Sequence, residues 1–394
     1  MPPKTVVKIR FNQVYTPLRI FFADSRAAGI VLIVLTMLSL VLANWSVTSS
    51  GYTHFWQQTF HWPVVLGHLP ETNLLFVNDV LMTFFFFLVG MEIKRELLVG
   101  ELAVLKKSML PIVAAIGGML LPALLFLLFN LQTAYRNGWG IPMATDIAFS
   151  LGILSLLGNR INMSLRIFLV ALAIIDDLGA VVTIAFFYTG NIQLLYLLFS
   201  CGIIVVVVFI NQRGVNALVA YLIPGIALWF CLFHSGIHAT LAGVIMSFAM
   251  PLKQLAKLEH QLFAPVNFFI MPLFALANTA IVLPTDMVAT FIHPISIGVL
   301  VGLVFGKPLG IFLFSYVAVR CKLALLPSHT TWGQLLGIGM LGGIGFTMSI
   351  FTTSLAYDHQ LWQINAKVAV MAASAASAGL GLLVLLWKTS KSKS

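Results

Sequence analysis

The chain has 394 residues, of which 60% are hydrophobic and 9% are charged. A soluble domain carries about 25% charged residues, so this composition excludes an ordinary soluble protein and indicates one that crosses a membrane several times. The net charge of +10 does not indicate a nucleic-acid partner, because the basic residues lie in short segments between apolar runs, where they act as orientation signals.

Twelve apolar segments follow one another along the chain, and each is interpreted as a membrane span. The predicted spans are 27–45, 74–93, 109–129, 140–157, 164–188, 194–210, 215–231, 236–250, 264–283, 294–316, 333–355 and 365–387. Residues 1–394 are therefore expected to form one all-α polytopic membrane domain. Residues 1–25 and 388–394 are basic tails, and the aromatic-rich loop 46–73 forms a hairpin, an interfacial helix, a dimer contact or a loop on the headgroups.

Basic residues are distributed unequally between alternate sides of these spans. Of the 22 Lys and Arg residues, 19 fall on one side and 1 on the other, while Lys307 and Lys367 fall within spans. Lys and Arg accumulate in cytoplasmic loops. The asymmetry therefore predicts an even number of spans, with both termini in the cytoplasm.

Four of the 12 acidic residues lie within spans, namely Asp79, Asp146, Asp176 and Asp177. A charge at mid-span costs about 2.5–3.5 kcal/mol on insertion scales, so an ionisable group there is a functional candidate by default; a structural ion pair is the alternative. Adjacent side chains on a helix point about 100° apart. Asp176 and Asp177 therefore cannot share one partner, and one can pair with a base while the other lines a cavity.

Lys307 is interpreted as the one basic residue deep in a span. It is flanked by Gly306, Pro308 and Gly310, which allow the backbone to open or to pack closely. Its state of lowest energy is either paired with one of the aspartates or uncharged. We expect that replacing Lys307 by alanine lowers both the stability and the activity of the chain.

Two spans are interrupted. Span 140–157 contains Pro142, Thr145 and Asp146, and span 333–355 has five glycines within 337–345, which predict no regular helix there. The segments 147–153 and 344–350 resemble each other weakly and run in opposite directions. Interrupted spans at matching positions of inverted halves indicate a transporter site. The alternative is a chance similarity between glycines that pack helices.

The ends of broken helices carry partial charges at the middle of the membrane. Asp146 is expected to offset the positive ends and Lys307 the negative ends. Carboxylate, hydroxyl and carbonyl oxygens suit a hard cation such as Na⁺ or Li⁺, and Asp177, Asp146 and Thr145 carry such oxygens. If the same acids bind protons, the two ligands compete, and alternating access then produces exchange. No cofactor is expected.

Five motifs resemble the NhaA family of bacterial sodium/proton antiporters, over residues 22–387. They are Ala144–Phe149, Ala173–Ala180, Gly236–Gly243, Gly306–Gly310 and Gly343–Ile350. The resemblance implies twelve helices in an inverted repeat, with two broken helices that cross. It also implies electrogenic, pH-regulated exchange of Na⁺ or Li⁺ for protons across the bacterial inner membrane. The resemblance also implies a homodimer. Residues 59–71, however, differ from those of the hairpin that makes the dimer contacts in relatives.

The resemblance assigns roles to the residues at matching positions. Asp177 is the principal cation ligand, Asp146 and Thr145 are nearby contributors, and Asp176 is the partner of Lys307. Asp176, Asp177 and Lys307 are the candidates for proton carriage, and the sequence does not choose between them.

The resemblance also places a pH-sensing cluster at the cytoplasmic mouth. Its members are Glu92, Arg95, Glu96, Glu259 and His260. From their spacing alone, the first three are equally compatible with a solvated helix end. His238 matches a family histidine linked to the pH response, and the alternative is a packing residue.

Other classes of membrane protein remain as alternatives. A sodium-coupled solute symporter has similar architecture. An intramembrane aspartyl protease also places aspartates in spans, but its Gly-x-Gly-Asp motif is absent. A passive cation channel is disfavoured because no filter sequence repeats and the acids are dispersed over different spans.

Overall fold

The computed structural model describes residues 25–60, 69–190 and 192–390. The predicted N-terminal tail, except for Ser25, and most of the C-terminal tail lie outside these ranges. In chain order the α-helices are α1 (Ser25–Asn44), α2 (Ser49–Gln57), α3 (Asn73–Leu75), α4 (Met82–Leu98), α5 (Leu105–Asn130), α6 (Ile147–Ser155), α7 (Met163–Phe187), α8 (Leu194–Gln212), α9 (Val219–Ser235), α10 (Leu241–Ala249), α11 (Leu252–Pro265), α12 (Met271–Asn278), α13 (Met287–Ile292), α14 (Pro294–Val301), α15 (Lys307–Arg320), α16 (Trp332–Gly342), α17 (Phe346–Ala356) and α18 (Gln360–Ser390).

Three spans continue through π-helical turns instead of stopping. The turn Phe76–Leu81 joins α3 to α4, Val266–Ile270 joins α11 to α12, and Gly302–Gly306 joins α14 to α15. A π-helical turn inserts an extra residue and often marks a functional position. Each of the three turns contains or adjoins a polar residue that lies in or near the candidate site described below.

The all-α polytopic fold is confirmed. Within the described ranges, eight helices are long and apolar enough to cross a membrane, and α16 with α17 forms a ninth candidate bent by 46°. The other predicted spans fall on α9, on the short α10, and on the broken segment 136–155. These three are too short to meet the same criterion, so the count of twelve stays a prediction.

One predicted boundary is clearly wrong. Span 264–283 was expected to begin after a polar stretch, but its helix already starts at Leu252 and ends at Asn278. Charged residues such as Lys257 and Glu259 lower the hydropathy of α11 without interrupting its backbone. The first turns of this helix therefore carry the charged residues that the sequence placed in a loop.

The loop 46–73 contains both a helix and a paired segment. Residues 49–57 form α2, and Thr59 and Thr72 make an antiparallel bridge. The Phe60 amide donates to the Glu71 carbonyl at 2.6 Å. Residues 61–68, at the centre of the predicted hairpin, lie outside the described ranges.

Glycines bring the helices around the site into backbone contact. A Cβ on Gly310 of α15 would lie 2.1 Å from the Gly117 carbonyl oxygen of α5, and one on Gly243 of α10 would lie 2.3 Å from the Thr83 carbonyl oxygen of α4. Small residues allow membrane helices to approach this closely. The contact between α5 and α15 sets the position of Lys307, which begins α15.

Candidate functional site

The two interrupted spans cross each other and exchange hydrogen bonds at the crossing. A 3-10 helix, Arg136–Met143, precedes α6 and is separated from it by extended residues. The Asp146 amide donates to the Ile344 carbonyl at 2.7 Å. Ser150 Oγ donates to the Leu341 carbonyl at 2.9 Å, and Ser349 Oγ donates to the Ile141 carbonyl at 2.7 Å. Each span thus supplies donors to the carbonyl groups that the break in the other span frees, as buried backbone groups require.

The break in the second span is narrower than the sequence predicts. The glycines at 337, 339 and 342 lie within the regular helix α16, and the helix stops only at 343–345. The glycine-rich stretch stays helical because neighbouring helices pack directly against it. For example, a Cβ on Gly339 would lie 3.3 Å from the backbone of Pro308. The prediction of an interrupted span is confirmed, but its extent was wrong.

The repeat relation predicted for 147–153 and 344–350 is visible in the contacts at the crossing. That alignment pairs Phe149 with Phe346, and their ring centroids lie 4.7 Å apart. Residues related by a twofold axis touch each other where the axis passes between them. The contact therefore agrees with two copies that cross in opposite directions.

Asp146 lies at the N-terminal ends of both helices that begin at the crossing. One carboxylate oxygen accepts from the Phe149 amide of α6 at 3.0 Å. The other accepts from the Thr347 amide of α17 at 3.1 Å and from Thr347 Oγ1 at 2.5 Å. A carboxylate here offsets the positive partial charge of two helix N-termini, which is the location expected for Asp146.

Asp176 and Lys307 form an ion pair that is wholly enclosed in protein. Lys307 Nζ lies 2.9 Å from Asp176 Oδ2, and both side chains are fully buried. The ammonium group also donates to the Met143 carbonyl, at the C-terminal end of the 3-10 helix. Thr145 Oγ1 lies 2.6 Å from the same Asp176 oxygen and 2.9 Å from the Gly342 carbonyl oxygen. Lys307 therefore neutralises both Asp176 and one negative helix end.

Asp177 points in a different direction from Asp176 and lines a cavity of about 160 Å³. Asp146, Thr145 and Thr347 line the same cavity, which extends to Glu92 and Arg95 near the C-terminal end of α4. Asp177 Oδ1 is buried and has no hydrogen-bond donor among the described residues. Of the two adjacent acids, one is thus paired with a base and the other faces a cavity.

The oxygens around this cavity suit a small hard cation. Asp146 and Asp177 offer carboxylates, and Thr145 and Thr347 offer hydroxyls whose lone pairs remain available. Among the described residues, no group of three or more His, Cys, Asp or Glu side chains could hold a metal ion.

The expected pH-sensing residues at the cavity mouth belong to two helices. Arg95 of α4 lies 2.6 Å from Glu259 of α11 and 3.4 Å from Glu96. Glu92 lines the cavity that contains Asp177. His260 follows Glu259 with an exposed side chain. The structure thus brings Glu92, Arg95, Glu96 and Glu259 together at the cavity mouth and leaves His260 on the surface.

His238 lies away from that cluster. Its Nδ1 is 4.0 Å from Asp79 Oδ1, and its ring centroid is 6.0 Å from that of Phe351. Nδ1 has no hydrogen-bond partner among the described residues. The residue therefore packs against the middle of α17.

The sequence analysis missed Thr347 at the site, and it placed Lys367 too close to the end of its span. Thr347 binds Asp146 through both its amide and its hydroxyl, and its place in the second interrupted span was the available signal. Lys307 was interpreted as the one basic residue deep in a span, which is wrong, because Lys367 is only 5% exposed. The predicted span began at residue 365, whereas α18 begins at Gln360, so Lys367 lies two turns inside the helix.

Comparison with known proteins gives a consistent assignment. The family model described as Na⁺/H⁺ antiporter 1 matches residues 19–385. An Na⁺/H⁺ antiporter NhaA from Cytophaga hutchinsonii is 48% identical over 371 residues, which cover 93% of this chain and 94% of the relative. The NhaA 2 antiporter from Flavobacterium johnsoniae is 46% identical, over 93% and 91% of the two chains. An NhaA from Escherichia coli is 45% identical, over 92% and 95%. A match of this extent shows that the chain belongs to the Na⁺/H⁺ antiporter 1 family of multi-pass secondary transporters.

Proposed function

We propose that this chain exports Na⁺, or Li⁺, in exchange for protons by alternating access. Cation and protons bind in turn to one set of buried aspartates. Asp177 is the principal ligand of the cation, and Asp146 and Thr145 contribute further oxygens. The exchange is electrogenic, with more protons than sodium ions moved in each cycle.

One observation carries the proposal, namely the contrast between the two adjacent aspartates. Asp176 has a counter-charge in Lys307 at 2.9 Å, whereas Asp177 lines the cavity and forms no ion pair with any of the described residues. A buried carboxylate needs a cation or a proton to offset its charge. Asp177 is therefore the group at which the two transported ions exclude each other.

Lys307 and Asp176 act as a second charge pair next to this group. When a cation binds to Asp177, the extra positive charge weakens the hold of Lys307 on its own proton, and loss of the cation restores it. Protons can therefore be carried by Asp177, Asp176 or Lys307, and the pair couples their occupancy to that of the cation.

The orientation follows from the distribution of basic residues. We assign both termini and the Arg95–Glu259 end of the cavity to the cytoplasm of a bacterial inner membrane, because 19 of the 22 Lys and Arg residues lie on that side. The Arg95–Glu259 pair links α4 to α11 at the cavity mouth, and we assign to it, with Glu92, Glu96, His260 and the distant His238, the response to pH. A homodimer in the lipid bilayer is the expected assembly.

The test is sodium-driven proton movement in proteoliposomes. Addition of Na⁺ to vesicles that hold a pH gradient should dissipate the gradient with wild-type protein and not with Asp177→Asn. Asp358→Asn removes an exposed carboxylate outside the site and should behave as wild type. Full exchange by Asp177→Asn would refute the assignment of the ligand.

The same vesicles separate the alternatives. A channel would pass Na⁺ without coupled proton movement and without saturation. A symporter would require an organic solute for sodium uptake. Saturable Na⁺/H⁺ exchange without added solute is the expected result.

A further inference from the structure

A second polar cluster lies in the protein interior, apart from the cavity. It consists of Asn78 in the π-helical turn before α4, Asn278 at the end of α12, and Lys367 in α18. These residues are 7%, 1% and 5% exposed. Asn278 Nδ2 donates to Asn78 Oδ1 at 2.7 Å, and Lys367 Nζ donates to Asn278 Oδ1 at 3.3 Å.

The cluster lies beyond the site, on the side opposite to the cavity mouth. Ser374 Oγ accepts from the Phe346 amide at 3.2 Å, so Ser374 is level with the start of α17 and with Asp146. Because α17 and α18 are joined by three residues, they run antiparallel. Lys367 is seven residues nearer that connection, which corresponds to about 10 Å along a helix.

The course of α3 and α4 leads to the same placement. Asn78 and Glu92 lie on one continuous helix, Asn73–Leu98. Their separation of fourteen residues corresponds to about 21 Å. Since Glu92 lines the cavity mouth, Asn78 belongs to the other end of the protein.

An aromatic layer separates the site from this cluster. Phe351 of α17 is one turn beyond Thr347 and fully buried. Its ring centroid lies 5.2 Å from that of Phe86 and 6.3 Å from that of Phe274. Asn278 follows Phe274 by one turn. An ion that leaves Asp146 and Asp177 toward this end must pass the aromatic layer and then the amide groups.

Lys367 has an unusual environment for a buried ammonium group. The hydrogen bond found for it is to a neutral amide, and no carboxylate among the described residues lies within ion-pair distance of it. Such a charge within a membrane protein is costly and marks ion pathways. The amide oxygen that holds it is also an oxygen of the kind that a hard cation prefers.

We infer that Lys367, held by Asn278 and Asn78, is an electrostatic barrier on the route by which ions leave and enter at the extracytoplasmic face. The inference rests on the proposed exchange. When the aromatic layer parts, the protonated form of Lys367 repels a sodium ion on that side more than it does when the site faces the cavity mouth. It thereby promotes release outward and opposes entry from outside.

The size of the effect follows from Coulomb's law. Two unit charges about 10 Å apart interact strongly enough to change an apparent affinity roughly 2-fold at a dielectric constant of about 80 and about 15-fold at about 20. Removal of the Lys367 charge should therefore lower the KM for Na⁺ at the extracytoplasmic face by a factor in this range. The KM at the cytoplasmic face should change less.

The experiment measures the KM for Na⁺ separately at each face, in right-side-out and everted vesicles from cells without other sodium/proton antiporters. Lys367→Gln removes the charge and keeps a polar side chain, and Lys367→Arg keeps the charge. Asn78→Asp leaves Lys367 in place and offsets its charge. Lys367→Gln and Asn78→Asp should each lower the extracytoplasmic KM, and Lys367→Arg should keep it high.

Each result has a defined meaning. An unchanged extracytoplasmic KM in both charge-altering variants overturns the inference, and so does an equal change at both faces, which indicates a general structural effect. If Lys367→Gln does not fold, Asn78→Asp decides the question. Absence of exchange by the wild type would instead refute the proposed function.

Discussion

The Asp176–Lys307 pair provides the sharpest test of the energetic reasoning. Lys307→Met removes the ammonium group and largely keeps the volume of the side chain. Asp176 then loses its counter-charge at 2.9 Å and keeps Thr145 Oγ1 at 2.6 Å as a donor. The Met143 carbonyl also loses a donor.

The expected cost follows from the enclosure of both partners. Both side chains are fully buried, so Asp176 cannot turn to water. Leaving one member of a buried pair without its partner costs about 3–5 kcal/mol. Replacement of both charges at once, in Asp176→Asn with Lys307→Met, leaves no unpaired charge. Such a double replacement often changes the free energy of unfolding very little.

The assay is thermal unfolding of the purified protein in detergent, with all variants at the same pH. Lys307→Met should melt well below the wild type and lose exchange activity. The double variant should recover most of the melting temperature without recovering exchange. An unchanged melting profile of Lys307→Met, or a double variant less stable than the single one, would refute the reasoning.

Two further substitutions test contacts around the site by the same melting assay. Gly310→Ala would place a Cβ 2.1 Å from the Gly117 carbonyl oxygen, so α5 and α15 must separate and move Lys307; we expect lower stability and lower exchange. Gly202→Ala is the matched control, because no atom lies within 4 Å of its Cβ position, and a helical alanine is favoured over glycine by about 1 kcal/mol. Equal melting shifts for the two glycines would contradict the packing argument. Lys94→Met removes donors to the Phe248 carbonyl at 2.7 Å and the Met250 carbonyl at 2.5 Å, at the C-terminal end of α10, and should cost roughly 1 kcal/mol; a stability equal to that of the wild type would show that these contacts are not needed.

Much of the fold was accessible from the sequence, because a bilayer imposes simple rules on length and polarity. Uninterrupted apolar runs predicted the helices, and glycines with a proline predicted the two breaks. These rules fail where the composition of a segment does not match its backbone conformation. α11 begins at Leu252 although its first turns are charged, and α16 stays helical through three glycines because neighbouring helices pack against it.

The site was predictable as a set of residue types but not as a set of contacts. The sequence indicated that Asp176 and Asp177 must diverge, because adjacent helical side chains point in different directions. Helix geometry did not indicate which acid binds Lys307, since both lie at the same depth, and only the family resemblance assigned Asp176. That choice depends on the position of α15, which is set by its close contact with α5 at Gly117 and Gly310.

Several partners lie too far apart in the chain for spacing rules to pair them. The sequence by itself determined the membrane class, the inverted broken spans and the buried acids, because hydropathy, glycine content and the cost of a buried charge are local properties. Only the tertiary structure decided that Thr347 binds Asp146, that Arg95 binds Glu259 and that Lys367 rests on Asn278. The physical reason is that each of these contacts joins helices whose relative depth and rotation are fixed by packing.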